Sequence, residues 1–376
     1  MIPGSSWSFE RMDIPHSPAD LSSSWLTMAL RHGCAIGASA VREFECSPLE
    51  AGKGFYGQIV RLKLTYDPPE TDGPQTMIAK FPSSNPGMRQ RPNTQASYER
   101  EVRFYQNVAK ESLVPVPTCY YADVNTKSGW HVLLLEDLAP ARSGSRTEGC
   151  SPNQARTAIH HIARFHAHWW EHPMLDELAW LVDAPGAPDD EIARLHEQWW
   201  PVFLREVGKP LPDEVMAIGE LLGEHRGRIA RRLRTNEPRT LRHGDYSLEN
   251  LMFGAAGERA FFVVDWHFVN RGRGISDVAY FLSESVVPEN RQAIEMDLLH
   301  DYLRILDDHG VRNYSFDDAM YDYRVSLLNR FGSLISTIAA MPFTKEQIRM
   351  CVDVLLARNI AAMLDHDCRS LLDSGL

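Results

Sequence analysis

An α+β chain built as two lobes is the fold class this sequence predicts, on three observations. Short apolar runs with strand-like alternation, separated by Gly- and Pro-bearing turns, occupy the chain up to residue 135. Beyond Pro152 the apolar residues recur at helical spacing almost to the C-terminus. The length of 376 residues exceeds what one hydrophobic core commonly organises. The expected boundaries are residues 1–135 for a small N-terminal lobe with an antiparallel sheet plus helices, 136–138 for a hinge, and 139–376 for a larger, mainly helical C-terminal lobe.

Taken in order, residues 1–18 are polar and Pro-rich and predict a loose arm. Ser17-Pro18-Ala19-Asp20 opens a helix running to Gly33, with Trp25, Leu26, Met28, Ala29 and Leu30 on its apolar face. Val41 to Leu49 and Ile59 to Tyr66 read as strands flanking the glycine loop Gly52-Lys53-Gly54-Phe55-Tyr56-Gly57. Strand, glycine loop and strand is a context in which backbone N–H groups cradle phosphates, with Gly54 at the loop's centre, although an ordinary hairpin turn reads the same way. The spacing is not that of Walker A. After the turn 67–74, Thr76 to Phe81 forms a strand carrying Lys80, whose ammonium needs a partner in apolar surroundings. The following helix offers Glu99 and Glu101 on different sides. Glu101 is expected to be the partner, because its spacing from Phe104 places it at the edge of the face packed on the sheet.

A further strand, His131 to Leu135, leads into Glu136-Asp137-Leu138. The helix from Pro152 to Trp170 carries His160, His161, His166 and His168. Imidazoles at helical spacing can chelate a metal, but no Cys is near and His161 lies two turns from His168, so a packing role is expected. The loop 185–190 breaks the helical lobe, which resumes around Trp199-Trp200 and over Val215 to Leu233. Paired tryptophans form core or an aromatic pocket. Ala293 to Leu306, Phe316 to Met341 and Lys345 to Leu372 complete the helices.

Bulk properties narrow the function classes. A net charge of −11 argues against a nucleic-acid partner, which needs a basic surface. No apolar run approaches the ~20 residues of a membrane span. Met1 to Ser6 carry neither the basic nor the apolar segment of a secretion signal. The six cysteines include no Cys-x-x-Cys pair, so free thiols in a cytoplasmic setting are expected. Oligomeric state is not legible.

The chemistry concentrates in His243-Gly244-Asp245-Tyr246-Ser247-Leu248-Glu249-Asn250. Leu251 to Phe253 and Ala260 to Val264 flank a glycine-bearing turn and read as a hairpin. With the turn centred near Gly257 and Glu258, Asn250 is expected opposite Asp265, and Asp245 lies in the loop leading to that end. Two oxygen ligands beside a second carboxylate suit a Mg²⁺ site with a general base next to it. Phosphoryl transfer needs those parts.

The pattern His-Gly-Asp-x-x-x-x-Asn, then an apolar strand and Asp265-Trp266, resembles the aminoglycoside phosphotransferase and choline kinase group of small-molecule kinases. Gly274 to Leu282 is similar to that group's Asp-Leu-Ala signature, with Val278 in place of Leu. Glu101, Phe104, Tyr105 and the run Leu133 to Leu138 most resemble its ecdysteroid-kinase-like branch. The resemblance implies a bilobal protein-kinase-like fold and an ATP- and Mg²⁺-dependent transfer to a small-molecule hydroxyl. By it, Asp245 is the catalytic base, and Asn250 and Asp265 hold the metal. Lys80, Glu101, Gly54, Glu136 and Leu138 serve the nucleotide, while His243 and Asp277 support the catalytic loop. His267 stands where relatives often have Gln. An apolar or steroid-like alcohol is the favoured acceptor. The alternatives are an aminoglycoside-type antibiotic kinase and a pseudokinase scaffold.

Overall fold

The computed structural model describes residues 12–49, 57–70, 72–181, 188–234, 238–254 and 260–376. The glycine loop with Gly54, the centre of the loop 185–190 and the turn at Gly257 and Glu258 lie outside them. The chain divides into two compact units, Met1–Val108 with Pro117–Asp137, and Ala109–Val116 with Leu138–Leu376.

The first unit is an antiparallel sheet with helices. Its strands are β1 (Ala40–Pro48), β2 (Gly57–Asp67), β3 (Thr76–Pro82), β4 (Cys119–Val124) and β5 (His131–Glu136), in the order β1-β2-β3-β5-β4. Helix α1 (Ser23–His32) packs against β1 and β4, and its Trp25, Leu26 and Leu30 join Leu62, Met77, Phe81 and Leu134 in the core. The helix starts later than expected. Pro18–Asp20 is a single 3₁₀ turn, and Ser22 is the cap, its hydroxyl accepting the Trp25 N–H at 3.1 Å. Met28 is 51% exposed, so it is not part of the apolar face. The short helix α2 (Pro86–Arg89) precedes α3 (Pro92–Asn107), which lies on β4 and β5.

The second unit takes 109–116 from the stretch expected in the N-terminal lobe; there the Pro115 carbonyl accepts the Val263 N–H at 2.9 Å. After the two-residue strand β6 (Arg142–Ser143) come α4 (Pro152–His168), closed by a Ser151–Gln154 capping box, α5 (Met174–Glu177), α6 (Asp189–Val207) and α7 (Asp213–Arg234). Trp200 is packing rather than pocket. Its ring stacks on Phe203 at 5.3 Å, meets Phe331 edge-on and lies against Gly219 of α7.

Four short strands follow, β7 (Thr240–Arg242), β8 (Leu251–Phe253), β9 (Phe261–Val263) and β10 (Asn270–Gly272); β7 pairs with β10, and β8 lies between β6 and β9. Helices α8 (Ile275–Ser285), α9 (Pro288–Asp308) and α10 (Phe316–Ala340) come next. The single helix expected from 345 to 372 is instead α11 (Lys345–Met350), a π-helical stretch Cys351–Leu356, α12 (Ala357–Asp365) and α13 (Arg369–Asp373), with Asp367 in a left-handed turn at φ 45°. Among the described residues no helix is long and apolar enough to cross a membrane.

Candidate active site

The loop after β7 has its backbone dictated by two residues. Gly244 adopts φ 81°, and a Cβ there would meet the Phe268 carbonyl oxygen at 2.3 Å and Asn270 Nδ2 at 2.7 Å. Only glycine fits such a left-handed close approach, which explains its place between His243 and Asp245. Asp277, in the first turn of α8 and 2% exposed, accepts the backbone N–H of His243 at 2.6 Å and of Gly244 at 3.0 Å. It caps the loop after β7. Its Oδ2 also lies 3.3 Å from His166 Nε2, and His166 Nδ1 lies 3.0 Å from the Tyr302 hydroxyl. Burial pushes the Asp277 carboxyl up. The His166 hydrogen bond and the charges of His166, Arg242 and His243 outweigh it and hold the group below its ordinary value.

His243 braces the same loop from inside. Its Nδ1 accepts the Asp245 N–H at 3.2 Å, so the ring proton sits on Nε2 and is donated to the Val264 carbonyl at 3.0 Å. Burial lowers its pKa despite the nearby carboxylates Asp277, Asp245 and Asp265, and the ring stays neutral near pH 7. Its ring lies tilted against Trp266, with centroids 4.6 Å apart; Trp266 packs on Phe165 and donates Nε1–H to the Val263 carbonyl.

The hairpin pairs Leu251 with Val263 and Phe253 with Phe261. Asn250 therefore faces Val264, whose N–H reaches the Asn250 carbonyl at 3.0 Å, and not Asp265 as expected. The pairing is symmetric about one residue, 257, with the Gly254 N–H bonded to the Ala260 carbonyl, whereas a turn centred between 257 and 258 would shift it by one. Asp265 is the next residue, turned away from the strand by φ 69°. One of its oxygens lies 2.9 Å from His267 Nδ1, and the side chain is 35% exposed.

Asp245 is held on both oxygens. Oδ1 accepts the Tyr280 hydroxyl at 2.6 Å and Oδ2 accepts Asn250 Nδ2 at 2.9 Å, which also reaches the Asp245 carbonyl at 2.9 Å. With its NH₂ spent on Asp245, the Asn250 amide presents its oxygen as the group for a cation. One amide oxygen and one partly exposed carboxylate fit Mg²⁺, which keeps several waters and takes few protein ligands. Sequence reasoning missed what surrounds Tyr280. The Arg330 guanidinium lies 3.8 Å from its ring centroid, and Arg330 pairs with buried Glu284. Arg146 lies 3.5 Å from Glu284 and also pairs with Glu249 of the catalytic loop. Only the Glu249 position in the motif hinted at this network.

The first unit carries the nucleotide candidates. Lys80 Nζ lies 2.6 Å from Glu101 Oε1, both largely buried, while Glu99 lies 3.6 Å from Arg103. Glu136 uses its carboxylate on the Thr118 N–H and hydroxyl and its own N–H on the Thr118 carbonyl. Asp137 takes Arg61 in a bidentate pair at 2.7 and 3.1 Å. In the second unit the Leu138 carbonyl accepts the Ala141 N–H at 2.8 Å. Of the α4 histidines, His161 stacks on Phe261 at 4.7 Å and His166 bridges Asp277 and Tyr302, whereas His160 is exposed; no group of three or more His, Cys, Asp or Glu that could hold a metal exists among the described residues.

Three comparisons bear on these observations. The profile of the APH phosphotransferase enzyme family matches residues 70–314, about two thirds of the chain. No curated protein matches. Among solved structures, a candidate aminoglycoside phosphotransferase from Ralstonia eutropha is 17% identical with a TM-score of 0.53, over 92% of this chain and 97% of that one. APH(2")-IIa in complex with gentamicin is 15% identical with a TM-score of 0.51, over 86% and 93%. An ethanolamine kinase of Plasmodium vivax is 10% identical with a TM-score of 0.50, over 86% and 83%. At these identities the likeness is one of fold, an N-terminal antiparallel sheet and a helical C-terminal part of protein-kinase type. With the family profile spanning both the Lys80 strand and the His243 to Asp277 segment, the chain belongs to the APH phosphotransferase enzyme family and is a small-molecule kinase.

Proposed function

We propose that this enzyme moves the γ-phosphoryl group of ATP, with Mg²⁺, to the hydroxyl of a small molecule, and that the acceptor is an apolar or steroid-like alcohol, as in the ecdysteroid-kinase-like branch. The observation that carries the reading is the Asp245 carboxylate held by Tyr280 and by the Asn250 NH₂, which leaves the Asn250 amide oxygen for a cation, with the partly exposed Asp265 following the strand after it. Bound Mg²⁺ supplies neutralisation of phosphate charge. Asp245 orients the acceptor hydroxyl and takes its proton late, since a loose transition state makes positioning the main task. The Asn250 oxygen and the Asp265 carboxylate hold the metal. Lys80, oriented by Glu101, contacts the nucleotide phosphates, and the segment at Glu136 and Leu138 serves the base, with the Glu136 side chain occupied by Thr118. His243 and Asp277 keep the loop in shape. Gly54, outside the described residues, is proposed to serve the phosphates.

Two other readings remain on the table. An aminoglycoside acceptor draws on the gentamicin complex among the structural neighbours. A scaffold without transfer is disfavoured because Lys80, Asp245, Asn250 and Asp265 are all in place.

The test is a mass-shift screen with Mg-ATP against sterols, aliphatic alcohols, hydroxy acids, amino alcohols and aminoglycosides. A +phosphate product in one class, made by the native chain and lost in Asp245→Asn, names the acceptor. Asp245→Asn is expected to keep Mg-ATP binding, and Asp265→Asn to weaken it. Unimpaired turnover in both variants rules out the assignment.

A further inference from the structure

The Asp245 carboxylate is held from two directions by groups of different origin. Asn250, five residues along, donates to Oδ2, and Tyr280, in the middle of α8, donates to Oδ1 at 2.6 Å. Burial, together with the Asp245 and Glu284 carboxylates, keeps the phenol protonated against the pull of Arg330 and Arg146, so it acts as a donor.

The ring cannot drift. The Arg330 guanidinium covers its face at 3.8 Å, and Arg330 is locked by both oxygens of Glu284. Asp277 and Tyr280 are three residues apart on α8, hence on one helix face. The same face therefore pins the loop backbone through Asp277 and the loop carboxylate through Tyr280.

A carboxylate tethered only by Asn250 is free to swing about its side-chain torsions. Two donors on different oxygens define its plane and leave each oxygen a further lone pair. We propose that Tyr280 is a positioning residue for phosphoryl transfer, fixing the Asp245 carboxylate so that one free lone pair faces the acceptor hydroxyl. This rests on the reading of Asp245 as the group that receives the hydroxyl proton.

The experiment uses the full chain and Mg-ATP hydrolysis, with water as the acceptor. Tyr280→Phe keeps the ring under Arg330 and deletes only the donor. Loss of a hydrogen bond to a charged group predicts a kcat roughly 10- to 100-fold lower, with the KM for Mg-ATP within about threefold of native. In an Asp245→Asn background the same substitution should change the residual rate by less than about twofold, because the acceptor of the bond has lost its charge. Ser283→Ala, one turn on and bonded to the Tyr280 carbonyl at 3.5 Å, should leave kcat unchanged.

The role of Tyr280 is overturned if Asp245→Asn abolishes hydrolysis while Tyr280→Phe leaves it intact. It is equally overturned if the loss persists in full in the Asp245→Asn background, or if Ser283→Ala reproduces it, since either marks a general loosening of α8. A native chain indifferent to Asp245→Asn, or silent toward Mg-ATP, overturns the underlying reading and this inference with it.

Discussion

Asp277→Asn separates a folding role from a chemical one. The wild-type carboxylate receives three buried donors, the backbone N–H groups of His243 and Gly244 and the Nε2–H of His166. An amide of the same shape can offer only one oxygen, so its NH₂ must oppose at least one donor. Leaving a buried N–H unsatisfied costs about 1–3 kcal/mol, and the remaining bonds lose roughly half their strength once the acceptor is neutral. Relief of carboxylate desolvation acts the other way, and the net expectation is a loss of about 2–4 kcal/mol. Set against a total of about 5–15 kcal/mol, that leaves a weakened but folded protein. Urea unfolding at pH 7, followed by far-ultraviolet circular dichroism, reads it as a lower midpoint at unchanged slope. The pH dependence supplies a second reading. A carboxylate whose folded pKa is depressed contributes stability above its unfolded value of about 4 and loses it as pH falls further. The wild type should show that acid loss and Asp277→Asn should lack its share. A midpoint shift worth less than ~0.5 kcal/mol would refute the claim that Asp277 holds the loop.

Two further outcomes follow from packing and burial. His131 is buried beside Tyr98, and burial pushes its pKa down to about 3, with the Lys80 charge acting the same way against the Gly129 backbone bond. The unfolded chain takes up its proton below about 6.5, so stability from this site is full above that pH and lost as pH falls, by about 2 kcal/mol at pH 5. His131→Phe should flatten the stability curve between pH 7 and 5; parallel curves for the two proteins would contradict this. Gly219→Ala places a Cβ 2.2 Å from the Trp200 ring at the α6–α7 contact. Overpacking of about 1–3 kcal/mol should exceed the roughly 1 kcal/mol gained in helix propensity, and a urea midpoint at or above that of the wild type would show that the helices part freely.

The structure also accounts for why the loop reads His-Gly-Asp. A left-handed residue is required where the backbone passes the Phe268 carbonyl, and the N–H groups of His243 and Gly244 must turn toward Asp277. An arginine at Gly244 would meet that carbonyl with its Cβ. The histidine serves as a neutral spacer, bonded to the Asp245 N–H on one nitrogen and the Val264 carbonyl on the other.

What the sequence determined by itself is what short-range chemistry encodes. Alternation and turn residues located four of the five strands of the first unit, all but β4 (Cys119–Val124), and the β8–β9 hairpin to within a residue or two. A buried lysine's need for a partner selected Glu101 over Glu99, and the polar run 243–250 with Asp265 marked the site. The strands and the hairpin depend on residues a few positions apart, where backbone geometry leaves few choices. The tertiary structure decided the rest. The hairpin pairs Leu251 with Val263, one residue from the expected register, and α1 begins at Ser23 behind the Ser22 cap rather than at the earlier Pro. Most tellingly, Tyr280 reaches Asp245 from 35 residues away and Arg330 reaches Glu284 from 46. No local pattern can announce such partners, because a side chain buried on a helix face looks like any other core residue until the element opposite it is known.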